Sequence, residues 1–558
     1  MTSGSPVLPA VLGIVFALGM TWPLVLHLGS EVGQDLGDPL LESWMIAWPG
    51  HALLHEPLHL FQSNSFWPAK DSLAFTDVLL GYAPAGIVAA HGPHTALVVY
   101  NLVFLFAYAL AFIGAYLLAV ELGAGRLGGI VAGVAFAYAP WRLAQNGHLH
   151  VLSSGGIPLA LYLLVRGYRR RSGRTIFLGW VVATWQMTLG FTLGLQFAYL
   201  LFAVSLTGVL LWIRQGRPEL GRAVIRASAA GVCLFAVVTA FQARPFLRVA
   251  HDHPEAKRTT GIVAFFSPGA HGFLAAPPNS FLWAGPTAHT RNSLRTPEEM
   301  ELFPGITILV LAILGLASAS YPAGIRLWVA TGTLACGILS LGLPYVPDDP
   351  AHGYTRGFMP YRLFYDLAPG WDAGRTPGRL NTFTSLGLAL LAGAGTALIV
   401  RVLRGRLTIR RSRLELAAGL TTAVLAGLIL LEGFGPIPHP RVPSVPSGQL
   451  GAAGPQLHLP SDDFRDGLYS YWSIGGFPKI VNGYGAFDPS ILSQTRQVAA
   501  TFPDRYSVAY LRDLGVRTVI LHPDLAVGTP WQDAAARSTT GLPVIREDKD
   551  GVVLYHLG

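Results

Sequence analysis

Asp35, Asp38 and Glu42 place three carboxylates within eight residues, in the text QDLGDPLLESWMIAW that follows the first apolar run of the chain. A carboxylate beside a membrane surface can take the proton from an acceptor hydroxyl, or join others in holding a divalent cation against a phosphate. Asp77, further along the same 29–94 stretch, is a further candidate. An ordinary helix start competes with this reading, because Asp38 followed by Pro39 resembles an acidic N-cap with proline in the first turn. A cap accounts for Asp38 alone. Asp35 and Glu42 still carry charge next to a bilayer, where it is costly without a partner or a task. Among the aromatic neighbours Trp44, Trp48, Phe66 and Trp67, anchoring at the headgroup level competes with stacking on a sugar ring.

Basic groups form a second candidate. Arg375 and Arg379, in GWDAGRTPGRLNTF, stand just before an apolar run on the face that positive-inside bias depletes of arginine. Two guanidinium groups there suit a phosphate or pyrophosphate. The alternatives are snorkelling to headgroups and pairing with Asp366 or Asp372. Arg244 and Arg248 are weaker candidates for the same work. The turn APWRLAQNGHLH adds Arg142, His148 and His150, the histidines reading as turn residues. His51, His55 and His59 recur every four residues, but Pro57 argues against one continuous helix bearing a histidine face. A divalent cation (Mg or Mn) held by Glu42 and Asp77 is the cofactor expectation.

The elements that must position these groups are membrane helices. Of the 558 residues 51% are hydrophobic and 13% charged, and mean hydropathy is +0.45, which excludes a water-soluble core in a charged shell. A span needs roughly 20 mainly apolar residues. We read eleven: 7–28, 95–121, 126–143, 151–167, 174–191, 193–213, 222–245, 301–319, 325–342, 379–401 and 414–432. The first is preceded only by Met-Thr-Ser-Gly-Ser-Pro, without a basic n-region, and reads as a retained span. Arginine clusters at 166–174, 214–226 and 401–413 fall on one side with this count, placing the N-terminus in the cytoplasm and the C-terminus outside. Residues 73–92 are half-apolar. Counting them as a span would reverse the 166–174 cluster, so they read as an external interfacial helix.

Cys233 and Cys336 lie in apolar runs and read as small core residues. The net charge of +8 comes largely from inner-face arginines and reports topology, not nucleic-acid binding. There is no Walker loop and no GxGxxG between strand and helix. Five prolines between 436 and 446 mark an extended linker over 433–455. Beyond it, 456–558 reads as an external α/β domain. QLHLP, PKIVN and RTVILH are strand candidates, SVAYLRDLGV is an amphipathic helix, and VIRED with VVLYHL forms a hairpin about Lys549-Asp550-Gly551.

With these residues in view, the chain is similar to the GT-C superfamily of polytopic membrane glycosyltransferases, and more narrowly to bacterial YfhO-type and family 39-like members. The likeness rests on GDPLLESWMIAW, QNGHLHVLSSGGIPLALYLLVR, APGWDAGRTPGRL, NGYGAFDPS and LRDLGVRTVILH, and spans most of the chain. It implies an α-helical GT-C-like domain over 1–432 and transfer of a sugar on the external face from a polyprenyl-phosphate donor to a glycan, lipid or protein acceptor. The family's first-loop aspartate matches Asp38, and its second acidic position corresponds loosely to Asp77. Pro39 stands where many members carry a second carboxylate. On this reading Asp38 or Asp35 is the base, Arg375 and Arg379 bind the donor phosphate, and Trp44 and Trp48 contact sugar or acceptor. A transporter or lipid flippase would carry charged residues along a pathway inside its spans, and these spans hold almost none. A non-catalytic scaffold for envelope assembly is the other alternative.

Overall fold

The computed structural model describes residues 7–345, 359–406 and 410–557. The six residues ahead of the first apolar run lie outside them. Each of the eleven apolar runs contains a helix, and among the described residues seven helices are long and apolar enough to cross a membrane by length and composition: Pro93–Leu122, Leu149–Arg169, Phe191–Arg214, Arg222–Asp252, Ala323–Ser340, Pro377–Arg406 and Arg411–Glu432. Val7–Met20, Gly125–Tyr138 and Ile306–Ala317 are shorter apolar helices, and Gly173–Met187 completes the set. The half-apolar 73–92 segment yields only Leu80–Ala89, well short of the roughly 20 residues a span requires. Residues 301–305 belong to no helix or strand, so the run read as beginning at 301 becomes helical only at Ile306.

Burial divides the helices by environment. In Phe191–Arg214 and Arg222–Asp252 only 11% of the most apolar window is buried, and Phe202, Leu210, Val237 and Phe241 project outward. Such surface is tolerable only in hydrocarbon. Cys233 lies on this exposed surface and not in a core. Pro93–Leu122 is 67% buried over the same measure and forms an inner helix.

The described residues fall into two compact units. The first comprises Met1–Pro23, Phe104–Ala240 and Arg258–Ile437. At its centre the helix Asn381–Arg406 packs against Ile306–Ala317 and Gly125–Tyr138. Glycines permit the approach: a Cβ at Gly395 would stand 2.0 Å from the Leu311 carbonyl oxygen, and one at Gly315 2.0 Å from that of Leu391. Without a hydrophobic driving force between helices in lipid, such backbone proximity supplies the van der Waals contact that holds them. Gly395→Val forces the pair apart, and we expect a loss of about 1–3 kcal/mol or more, read as a lowered melting midpoint of the detergent-solubilised protein.

The second unit comprises Leu24–Val103, Phe241–Lys257 and Pro438–Gly558. Its sheet has strands β1 (Gln456–Leu459), β2 (Thr518–Leu521), β3 (Ile545–Lys549) and β4 (Val552–His556) in the order β1-β2-β4-β3. β1 and β2 are parallel, with Leu457 opposite Val519, and the other pairs are antiparallel. The parallel pair is fully buried, whereas β3 is an exposed edge of charged residues, a composition that discourages further strand pairing. Helix Arg505–Leu514 is capped by Asp504, whose Oδ1 accepts from the Tyr506 and Ser507 amides, and it ends at Gly515 with φ 91° before β2.

PKIVN is not a regular strand. Only Ile480 bridges to Gln456, because the segment also serves the first loop: the Phe66 amide donates to Asn482, Trp67 to Ile480, and Ile480 to Asn64. Phe66, Phe75 and Phe487 continue this contact with ring centroids 5.1 and 4.9 Å apart. The Ser490 amide donates to Glu255 at 2.9 Å, bringing in the third stretch. The 456–558 segment and the carboxylate-bearing loop therefore share one packed body.

Candidate active site

Helix Asp38–His55 carries the acidic candidates. Its N-cap is Gly37, with no side-chain cap, so Asp38 is the first helical residue and not the acidic N-cap of the competing sequence reading. Asp35 is exposed and its Oδ1 accepts from the Gly37 amide at 2.7 Å, a local turn that sets the entry to the helix. Asp38 and Glu42, four residues apart, share a helix face. Asp38 is half-buried and Glu42 fully buried. Asp77 lies in the same unit, half-buried in irregular backbone.

Trp44 and Trp48 are interior residues of this unit. The Trp44 indole N–H donates to Asn64 at 2.9 Å and that of Trp48 to the Leu60 carbonyl at 2.9 Å. Asn64 then donates to Ser473 at 2.9 Å and to the Pro478 carbonyl at 2.8 Å. His51 stacks on Phe477 at 4.3 Å and on His55 at 4.4 Å. The C-terminal segment thus fixes the helix that presents Asp38. His59 lies beyond that helix in a separate 3-10 turn begun by Pro57. Among the described residues no group of three or more His, Cys, Asp or Glu is arranged to hold a metal ion.

Asp71 was not singled out from sequence. It is buried, pairs with Arg248 at 2.8 Å and exchanges two hydrogen bonds with Gln62. Arg248 therefore already has a carboxylate partner.

The first unit holds Arg375 and Arg379. Arg379 does not pair with Asp366, which binds Arg362 at 2.6 Å. It instead donates from Nη2 to Glu299 at 2.7 Å, with His148 3.9 Å from the same carboxylate oxygen. The guanidinium of Arg375 lies 4.9 Å from the Phe266 ring centroid. Burial alone would raise the Glu299 carboxyl, but Arg379, His148 and Arg375 together draw it down to about 2. A folded value below the ordinary 4.5 means this pair stabilises the fold fully above that value, and the contribution is lost as pH falls from about 4.5 toward 2. The melting midpoint should fall across this window, and more shallowly in Glu299→Gln. Glu299 was also missed, although PEEMELF crowds three glutamates ahead of an apolar run, the same cue that drew attention to Asp35, Asp38 and Glu42. Its neighbour Glu301 is fully buried.

This architecture is the GT-C glycosyltransferase fold, a polytopic membrane fold. The particular solved structures that carry the likeness are two classes of the arabinofuranosyltransferase AftD from Mycobacteria, an R1389S mutant. They superpose over 100% of this chain at TM-scores of 0.58 and 0.55 and at 15% and 14% identity. The chain spans 42% of the length of AftD. The oligosaccharyltransferase AglB from Archaeoglobus fulgidus covers 99% of this chain and 74% of its own at 13% identity, with a TM-score of 0.45 that carries no argument. No family model matches the sequence, and no curated protein does.

Proposed function

We propose that this protein is a membrane glycosyltransferase that moves a sugar from a polyprenyl-phosphate donor to a glycan, lipid or protein acceptor on the external face, with its N-terminus cytoplasmic and 456–558 outside. The observation that carries this reading is the whole-chain superposition on AftD, whose name records arabinofuranosyl transfer, together with a half-buried carboxylate at the start of a helix anchored on both sides. Asp38 accepts the proton of the acceptor hydroxyl. The acceptor oxygen attacks the anomeric carbon, the bond from that carbon to the phosphate oxygen breaks, and polyprenyl phosphate leaves with the electron pair. A single displacement of this kind inverts the anomeric centre. Fixed positive charge aimed at the departing phosphate lowers the barrier. Arg375 and Arg379 are the candidates for that role, and Arg379 is already paired with Glu299. Asp35 is the secondary candidate for the base.

The test is transfer of radiolabelled sugar from a panel of polyprenyl-phosphate donors by membranes containing the full chain. Transfer above that of empty membranes is the expected result. Absence of transfer with every donor, joined to unchanged cellular glycans on deletion, would remove the enzyme reading.

A further inference from the structure

In the first unit, the short 3-10 helix Pro140–Gln145 buries an arginine that pairs with no carboxylate among the described residues. Arg142 is 1% exposed. Its Nη1 donates to the Ser154 hydroxyl at 3.2 Å and its Nη2 to the Leu152 carbonyl at 3.0 Å, but its Nε–H meets no acceptor among the described residues. Its guanidinium lies among the rings of Tyr108, Phe136 and Trp141, none of which carries a counter-charge. An uncompensated buried guanidinium is among the more costly arrangements a protein can hold.

The surrounding polar groups are matched in an unusual sense. Tyr108 and Tyr138 stack with parallel rings 5.5 Å apart, and Arg142 lies 5.5 Å from the Tyr108 ring. The Tyr108 hydroxyl donates to the Asn146 side-chain oxygen at 2.6 Å, which orients the Asn146 amide so that its NH2 group is left over. The Tyr138 hydroxyl and the indole N–H of Trp141, itself 5.8 Å from the guanidinium, are also unpaired. Four buried groups within one cluster are therefore able to donate, and none of the four has an acceptor. A neutral sugar would need acceptors as well as donors; an oxyanion needs donors only.

We propose that Arg142, Tyr138, Asn146 and Trp141 form a buried binding site for a phosphate-class oxyanion, separate from Arg375 and Arg379. The four groups supply charge and hydrogen bonds of one polarity, and the anion supplies the counter-charge that Arg142 lacks. As a place for a lipid-linked phosphate the site rests on the transferase reading; as a place for free phosphate it does not.

The experiment is equilibrium binding to the full chain in lipid nanodiscs, with a radiolabelled polyprenyl phosphate and with inorganic phosphate as probes and a polyprenol lacking phosphate as control. Wild type should bind a phosphate-bearing probe and not the polyprenol. Tyr138→Phe removes one hydroxyl and preserves the stacked ring, and should weaken binding about tenfold, the loss expected of one hydrogen bond to a charged acceptor. Asn146→Ala should act alike, and Arg142→Lys more strongly. Should Arg142→Lys fail to fold, Tyr138→Phe, whose melting midpoint is measured alongside, decides the matter. Tighter binding of the lipid assigns the site to a lipid phosphate, and equal or preferential binding of inorganic phosphate to a free anion. Absence of binding by wild type, or binding unchanged in Tyr138→Phe and Asn146→Ala, overturns the proposal. Binding is read without turnover. An anion site in a protein that transfers no sugar would stand while the transferase reading falls, and transfer without anion binding at these residues would do the reverse.

Discussion

Asp38→Asn should reduce sugar transfer by about 10²–10⁴-fold with little change in the folded protein, since a positioned general base contributes on that scale. The substitution keeps size and shape. It removes the carboxylate proposed as the base and leaves the N-cap, Gly37, in place. Structure makes this a cleaner test than the sequence offered. Had Asp38 been the cap, its replacement would have cost about 1 kcal/mol of helix stability and confounded loss of chemistry with loss of fold. The measurement is initial rate at saturating donor in membranes with matched protein, with melting midpoints alongside. Equal rates in wild type and variant would move the base to Asp35, and the same substitution at Asp35 would then carry the large effect. A fall in rate accompanied by an equal fall in melting midpoint would instead mark Asp38 as structural.

The second large effect lies away from the chemistry. Asp466 is completely buried in helix Asp463–Trp472. Its carboxylate accepts from Ser461 at 2.9 Å, Asn482 at 2.8 Å and Arg496 at 3.0 Å. Asn482 exchanges two further hydrogen bonds with the backbone of His458 in β1. One carboxylate thus ties the sheet, the 482 segment and helix Ser490–Ala499 to the helix that packs on Asp38–His55. Asp466→Ala strands these donors, and breaking a buried pair by removing one partner costs about 3–5 kcal/mol. Arg496 keeps Asp463 and Asp488, at 3.0 and 2.5 Å, which places the loss toward the lower end. The expected result is earlier protease cleavage within 438–558 and a lower melting midpoint, with transfer reduced in proportion to the fraction folded. Asp466→Leu combined with Arg496→Met should recover part of the stability, because apolar replacement of a whole buried pair is often neutral. A stable Asp466→Ala protein would show that the network is dispensable.

Much of this protein was legible as text. Membrane helices announce themselves because hydrocarbon admits almost nothing else, so runs of apolar residues between arginine-rich loops set the number and approximate bounds of the helices without knowledge of their packing. The helix read over 507–516, the strand after it and the terminal hairpin were also legible, since amphipathic spacing and the Lys549-Asp550-Gly551 turn are local signals; the Asp504 cap and the start at Arg505 came from the structure. The carboxylates at 35, 38 and 42 stood out because charge beside an apolar run requires a reason. What the text could not contain was partnership. That Trp44 spends its indole N–H on Asn64, that PKIVN pairs with 64–66, that Arg379 meets Glu299 and that Arg142 is buried beside Tyr108 all join residues tens to hundreds of positions apart. Propensity and periodicity are properties of neighbours in sequence. Burial and ion pairing are properties of neighbours in space, and only the tertiary structure decides which charged group meets which partner.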